Sequence, residues 1–276
     1  MKEVISMWKY TRMIILVALS AAIYAAVLIV FKGGIVIVPG ITELRPANVF
    51  PAIFGLMFGP AGAWGAAIGN TIGDLLGGTL GWGSLFGLVG NFYLAYLPYK
   101  LWGSFFGMVP ANDMSQNTNT FRKFLAYVLI NLVAAAACAI IIAWYLDLTG
   151  IVPFDFLSIF ITLNNFIVSI VLGPPLLLLL YPRIKKWGLI WTDIMDKKDV
   201  AVGFSRGLGS ILAVVGSLGG LIVGLAVSIG GAGQTLFGFT GNKQSAALWL
   251  AVAPFLLLIV ISGFMLSGRE QFTEEE

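Results

Sequence analysis

The chain has 276 residues, 59% of them hydrophobic and only 11% charged, with a net charge of +3. An ordinary soluble domain carries about 25% charged residues, so a soluble globular fold and a disordered chain are both excluded. With no histidine and a single cysteine, Cys138, in an Ala-rich run, the chain lacks the residues for zinc sites, histidine relays and Ser-His-Asp catalysis.

Apolar stretches recur along the whole length, as in an all-α polytopic membrane protein. Eight spans are predicted, at about 13–31, 47–58, 61–78, 84–108, 124–146, 156–181, 208–229 and 246–266. The second is short and entered through Pro46, and Gly59-Pro60 turns it into the third. These two spans are either separate crossings or one broken, hairpin-like unit. An N-in, C-in orientation puts thirteen of the sixteen basic residues inside and leaves Lys32, Arg45 and Lys243 outside. The same bias explains the basic excess without nucleic-acid binding. Residues 111–120 form a polar cytoplasmic connection, and residues 185–205, with Trp187 and Trp191, read as an interfacial amphipathic segment. The predicted organisation is a six-helix core over 1–186, a linker over 187–205 and a two-helix appendage with an acidic tail over 206–276.

Polar groups are expensive within a bilayer, so their depth is informative. Asp74 is the acid well inside a span, with Asn70 one turn before it on the same face. Asn91 and Tyr96 in the fourth span and Asn164 and Asn165 in the sixth fall at a similar outward depth. The first external loop adds Glu43, Arg45 and Asn48. Each asparagine has a plainer reading as a helix-to-helix hydrogen bond, and Asp74 has one as a structural partner of Arg45. Their convergence from separate parts of the chain favours an outward-facing small-molecule pocket.

Small residues form ridges at a spacing of four. Gly65, Gly69, Gly73, Gly77 and Gly81 run along and just beyond the third span, and Gly216, Gly220 and Gly224 line the seventh. Ala18, Ala22 and Ala26 form a stripe on the first, flanked by Ala21 and Ala25. That stripe packs either within the chain or against another subunit. No Walker motif is present, so the chain does not hydrolyse ATP alone. With one deep acid and no paired acid and base or carboxylate cluster, the chain is not expected to be an enzyme, and no cofactor or metal is expected.

The stretch Ala18-Leu-Ser-Ala-Ala-Ile-Tyr-Ala-Ala26 precedes Arg45-Pro-Ala-Asn-Val-Phe-Pro-Ala-Ile-Phe-Gly-Leu-Met-Phe-Gly-Pro-Ala-Gly-Ala63, which is followed by Gly69-Asn-Thr-Ile-Gly-Asp74. Over residues 10–186 this resembles the substrate-binding membrane subunit, or S-component, of energy-coupling factor (ECF) micronutrient and vitamin importers. The resemblance implies that Ala18, Ala22 and Ala26 dock to a transmembrane coupling subunit carrying two ATPases. It implies that Glu43, Arg45 and Asn48 lie in or beside a gating loop. Asn91, Tyr96, Asn164 and Asn165 then fall on pocket-lining helices, in the plasma membrane of a prokaryote. The family core has six helices and eight are predicted here, so the last two are either an addition to that core or the mark of a different family. The alternative is a stand-alone H⁺- or Na⁺-coupled carrier using Asp74.

Overall fold

The computed structural model describes residues 1–31, 45–106, 120–230 and 246–272, together with the backbone of 36–38 and 42–43. Glu43's side chain, Lys32, Lys243, most of the polar connection at 111–120 and the tail beyond 272 lie outside the described residues. Helices α1 (Lys2–Ser6) and α2 (Thr11–Val30) lead to a short antiparallel ladder, β1 (Val36–Val38) with β2 (Thr42–Glu43). Then follow α3 (Phe50–Phe58), α4 (Pro60–Leu76), α5 (Trp82–Leu101), α6 (Thr120–Leu148), α7 (Phe154–Lys186), α8 (Trp191–Ile194), α9 (Arg206–Val214), α10 (Gly220–Gly230) and α11 (Ala246–Met265).

A helix stands at each of the eight apolar segments. Among the described residues, five stretches are long and apolar enough to cross a membrane: Thr11–Val30, Thr120–Leu148, Phe154–Ile194, Arg206–Gly230 and Ala246–Met265. With its leading turn, Pro46–Phe58 is shorter. At 1.5 Å per residue it reaches roughly 20 Å, less than the roughly 30 Å hydrocarbon core. Gly59, with φ +53°, turns α3 straight into α4. The fourth segment also ends early: α5 stops at Leu101, not near 108. Gly103, at φ +82°, bends the chain away, and Arg206 takes up the Trp102 carbonyl at 2.6 Å.

Backbone-distance packing holds the first helices together. A Cβ on Gly65 would lie 2.4 Å from that of Ser20, and one on Gly69 2.8 Å from the Ala21 carbonyl oxygen. The ridge on α4 therefore packs against the Ser20, Ala21, Tyr24 and Leu28 face of α2. At the far end of the ridge, Gly81 has open space around it. The opposite face of α2, with Ala18, Ala22 and Ala26, is exposed. On the other flank, α10 packs against α6 and α7 and α11 against α6, with Gly220 against Ile140 and Gly224 against Phe154, while α9 packs on α11. A π-helical turn at Val215–Gly219 interrupts this rod where Gly216 and Gly219 meet Ile259 and Phe255.

At the end remote from the loops 77–81 and 149–153, Glu3 and Lys100 form a fully buried ion pair. Lys100 Nζ also donates to the Leu266 carbonyl at 3.1 Å, and the Ala201 amide donates to Glu3 Oε2 at 3.2 Å. Trp191 departs from its expected interfacial position. It is 1% exposed, packed between the Gly59 turn, Tyr99 and Phe272, because Gly59 has no side chain to occupy that space. Trp187, at 63% exposed, faces outward as expected of an interfacial residue.

Candidate functional site

A cavity of about 580 Å³ opens between α2, the Pro46–Val49 turn, α4, α5, α6 and α7. Small-molecule sites run from roughly 300 to 1,000 Å³, so it suits one compact ligand. The turn contributes Asn48 and the preceding Arg45, α4 contributes Asn70 and Asp74, α5 Asn91, and α7 Asn164 and Asn165. Apolar wall comes from Ile142, Leu146, Leu157 and Ile161, with Trp82 beside the polar groups.

These side chains are held by one another. The Arg45 backbone N–H donates to Asn164 Oδ1 at 3.2 Å, and Asn48 Nδ2 donates to Asn165 Oδ1 at 2.6 Å. Asn91 Nδ2 donates to the Gly87 carbonyl at 2.9 Å, an i−4 bond along its own helix. Asn70 Nδ2 stands 3.4 Å from Asp74 Oδ2. Asp74 thus meets an amide in its own helix, whereas Arg45 reaches the wall through its backbone. Gly87 keeps the approach to this pair open, since a Cβ there would lie 3.0 Å from Asn70 Nδ2. The cavity presents a carboxylate, a guanidinium and five carboxamides against an apolar wall, which is recognition chemistry for a polar heterocycle.

Of the residues singled out from the sequence, Arg45, Asn48, Asn70, Asp74, Asn91, Asn164 and Asn165 line this one cavity. Tyr96 does not. It is fully buried elsewhere, its hydroxyl donating to the Gly263 carbonyl at 2.8 Å and joining α5 to α11. Glu43's side chain is outside the described residues. Sequence reasoning also passed over wall residues. Tyr24 donates to Asn91 Oδ1 at 2.9 Å and reaches Asn48 Oδ1 at 3.2 Å. No signal in the sequence marked it, because the hydropathy of α2 does not separate its buried face from its exposed one. Cys138, in its Ala-rich run, is buried and forms part of the wall. Asp74 is not alone as an enclosed acid: Asp147 is fully buried, accepting from the Phe154 amide at 3.0 Å and from Trp249 Nε1 at 3.3 Å.

Compared with protein families, residues 14–182 match the QueT transporter family. The chain belongs to the QueT transporter family. Its members are S-components of the ECF type, so the chain is a multi-pass membrane protein of a transporter family. Comparison with curated proteins and with solved structures returns no match. The QueT match runs from within α2 to within α7 and includes every residue lining the cavity, whereas α1 and α8 to α11 lie beyond it.

Proposed function

We propose that this chain is the substrate-capturing subunit of an ECF importer for a queuosine precursor, a base of the 7-deazaguanine type. The family's stated cargo supports this reading. So does the single observation that carries it: Asp74 and five asparagines share one compact, half-apolar cavity. A guanine-like ring offers adjacent N–H donors that a carboxylate accepts in pairs, and its remaining edge suits amides. Asp74 takes the donor edge, the Asn48, Asn91, Asn164 and Asn165 amides take the other polar atoms, and Leu157 and Ile161 flank the ring. Glu43 and Arg45 belong to the loop that closes over the ligand.

The orientation that goes with this is N-in, C-in, with the cavity outward, eight membrane-embedded helices and a prokaryotic plasma membrane around them. The core over 1–186 binds ligand; 187–205 is the linker and 206–276 the appendage. The coupling subunit, with its two ATPases, docks on α2. The exposure of Ala18, Ala22 and Ala26 supports that docking face, and α9 to α11 pack on the other flank and leave it open.

Mass spectrometry of the small molecule that co-purifies with the detergent-solubilised chain is the direct test. A 7-deazaguanine base is expected. An unrelated molecule, or no saturable binding of 7-deazaguanine bases by the purified chain, overturns the cargo. Uptake by vesicles holding this chain alone under a proton or sodium gradient replaces the importer subunit with the Asp74-linked carrier.

A further inference from the structure

We infer that Tyr24 is a positioning residue that ties the outer face of α2 to the amides of the cavity, so that docking on one changes ligand affinity in the other. The inference rests on the docking reading above and adds the route by which docking reaches the ligand.

Tyr24 is 1% exposed, and its single hydroxyl meets two other elements directly. It donates to Asn91 on α5 at 2.9 Å and lies 3.2 Å from Asn48 Oδ1 in the Pro46–Val49 turn. Asn48 in turn holds Asn165 on α7 at 2.6 Å. One atom carried by α2 therefore sets the orientation of amides on three walls. Ala22 and Ala26 each lie two residues from Tyr24, about 200° round the helix, on the exposed side. A partner helix seated on Ala22 and Ala26 bears on the same turn of backbone that carries the hydroxyl.

The surroundings leave little slack. Gly69 lets α2 and α4 meet at backbone distance, since a Cβ there would stand 3.1 Å from Tyr24 Cβ and 2.8 Å from the Ala21 oxygen. A docked partner can slide α2 along its axis or draw it outward. A displacement of about 0.5 Å takes the 3.2 Å contact beyond hydrogen-bonding range. Asn48 and Asn91 then lose a common partner, and the cavity loses its prepared arrangement. Coupling between two sites is reciprocal, so a ligand that fixes these amides also resists the displaced form of α2.

The test uses the full chain in nanodiscs, titrated with labelled 7-deazaguanine alone and after docking to the coupling subunit. In the natural chain docking is expected to weaken binding roughly 5- to 150-fold, the usual range of inter-site coupling. Tyr24→Phe keeps the ring and removes the bridge. Its affinity in the undocked chain should stay within about tenfold of the natural one, as expected for one neutral hydrogen bond. Its docked-to-undocked ratio should collapse towards one. An unchanged ratio in Tyr24→Phe overturns the inference while leaving the transport reading intact. A natural chain that neither binds the probe nor docks removes the transport reading itself. If Tyr24→Phe fails to fold, 3-fluorotyrosine at position 24 retains the hydroxyl. Its ¹⁹F resonance must shift on docking, and an unshifted resonance overturns the inference.

Discussion

Asp74 and Lys100 are both ionisable groups within the helical body, and their surroundings give them different work. Asp74 is half-exposed to the cavity and its neighbour there is Asn70. Asp74→Ala should therefore weaken binding of a 7-deazaguanine base by roughly five- to hundredfold, the cost of leaving about 1–3 kcal/mol of ligand hydrogen bonding unmet. Its thermal melt in detergent should barely change; a collapsed melt would make Asp74 a structural group. Lys100 is fully enclosed and paired with Glu3. Lys100→Met strands a buried carboxylate and should cost about 3–5 kcal/mol, whereas pairing it with Glu3→Gln should restore most of the loss. If the double variant melts no higher than the single one, the pair is not what holds this end. Burial opposes the charge on Glu3, but Lys100 and the amino terminus outweigh it and hold its carboxyl below the ordinary glutamate range. A carboxyl lowered in this way stabilises the fold above its unfolded value, about 4.3, and loses that contribution as pH falls through the folded value. Melting temperature should be flat near neutrality and drop on acidification below about pH 4. The drop should shrink in the double variant.

Helix α2 shows why elements were easier to read than faces. Its existence follows from an unbroken apolar run, and the helix at Thr11–Val30 falls within two residues of the predicted start and end. Which side is buried does not follow, because lipid is as apolar as a protein core and hydropathy is similar all round. Two small-residue stripes run along it, and the structure alone assigns Ala21 and Ala25 inward and Ala18, Ala22 and Ala26 outward. The cavity was legible where polar side chains marked the inner face, as at Asn91 and Asn164. It was illegible at Tyr24, whose ring reads as one more apolar group, and at Tyr96, whose hydroxyl serves α11 instead. Trp191 was misplaced because its space comes from Gly59, more than a hundred residues away. The two faces of α2 answer differently to substitution. Gly65→Ala brings a methyl to 2.4 Å from Ser20 Cβ and should destabilise the α2–α4 contact by about 1–3 kcal/mol, read as a lower melt. Ala22→Trp on the open side should leave the melt and ligand affinity unchanged and abolish uptake in cells supplying the coupling subunit. Lost folding in Ala22→Trp would make the outer stripe internal packing.

For the molecule as a whole, Cys138 is buried, so introduced cysteines can be labelled over a low background. A cysteine replacing exposed Thr149 should react with an impermeant thiol reagent in intact cells, and one replacing Lys197 should not. The reverse pattern would invert the molecule in the membrane.

The buried Glu3–Lys100 pair also has a history within each chain's synthesis. Lys100 leaves the ribosome 166 residues before Leu266, the carbonyl that completes its coordination. At about 5–20 residues per second that wait is roughly 8–33 s. Throughout it, Glu3, already made, is the counter-charge available to a lysine entering an apolar layer. Both charges of the pair thus precede α11 in the order of synthesis, and the carbonyl after that helix is the last partner to be made.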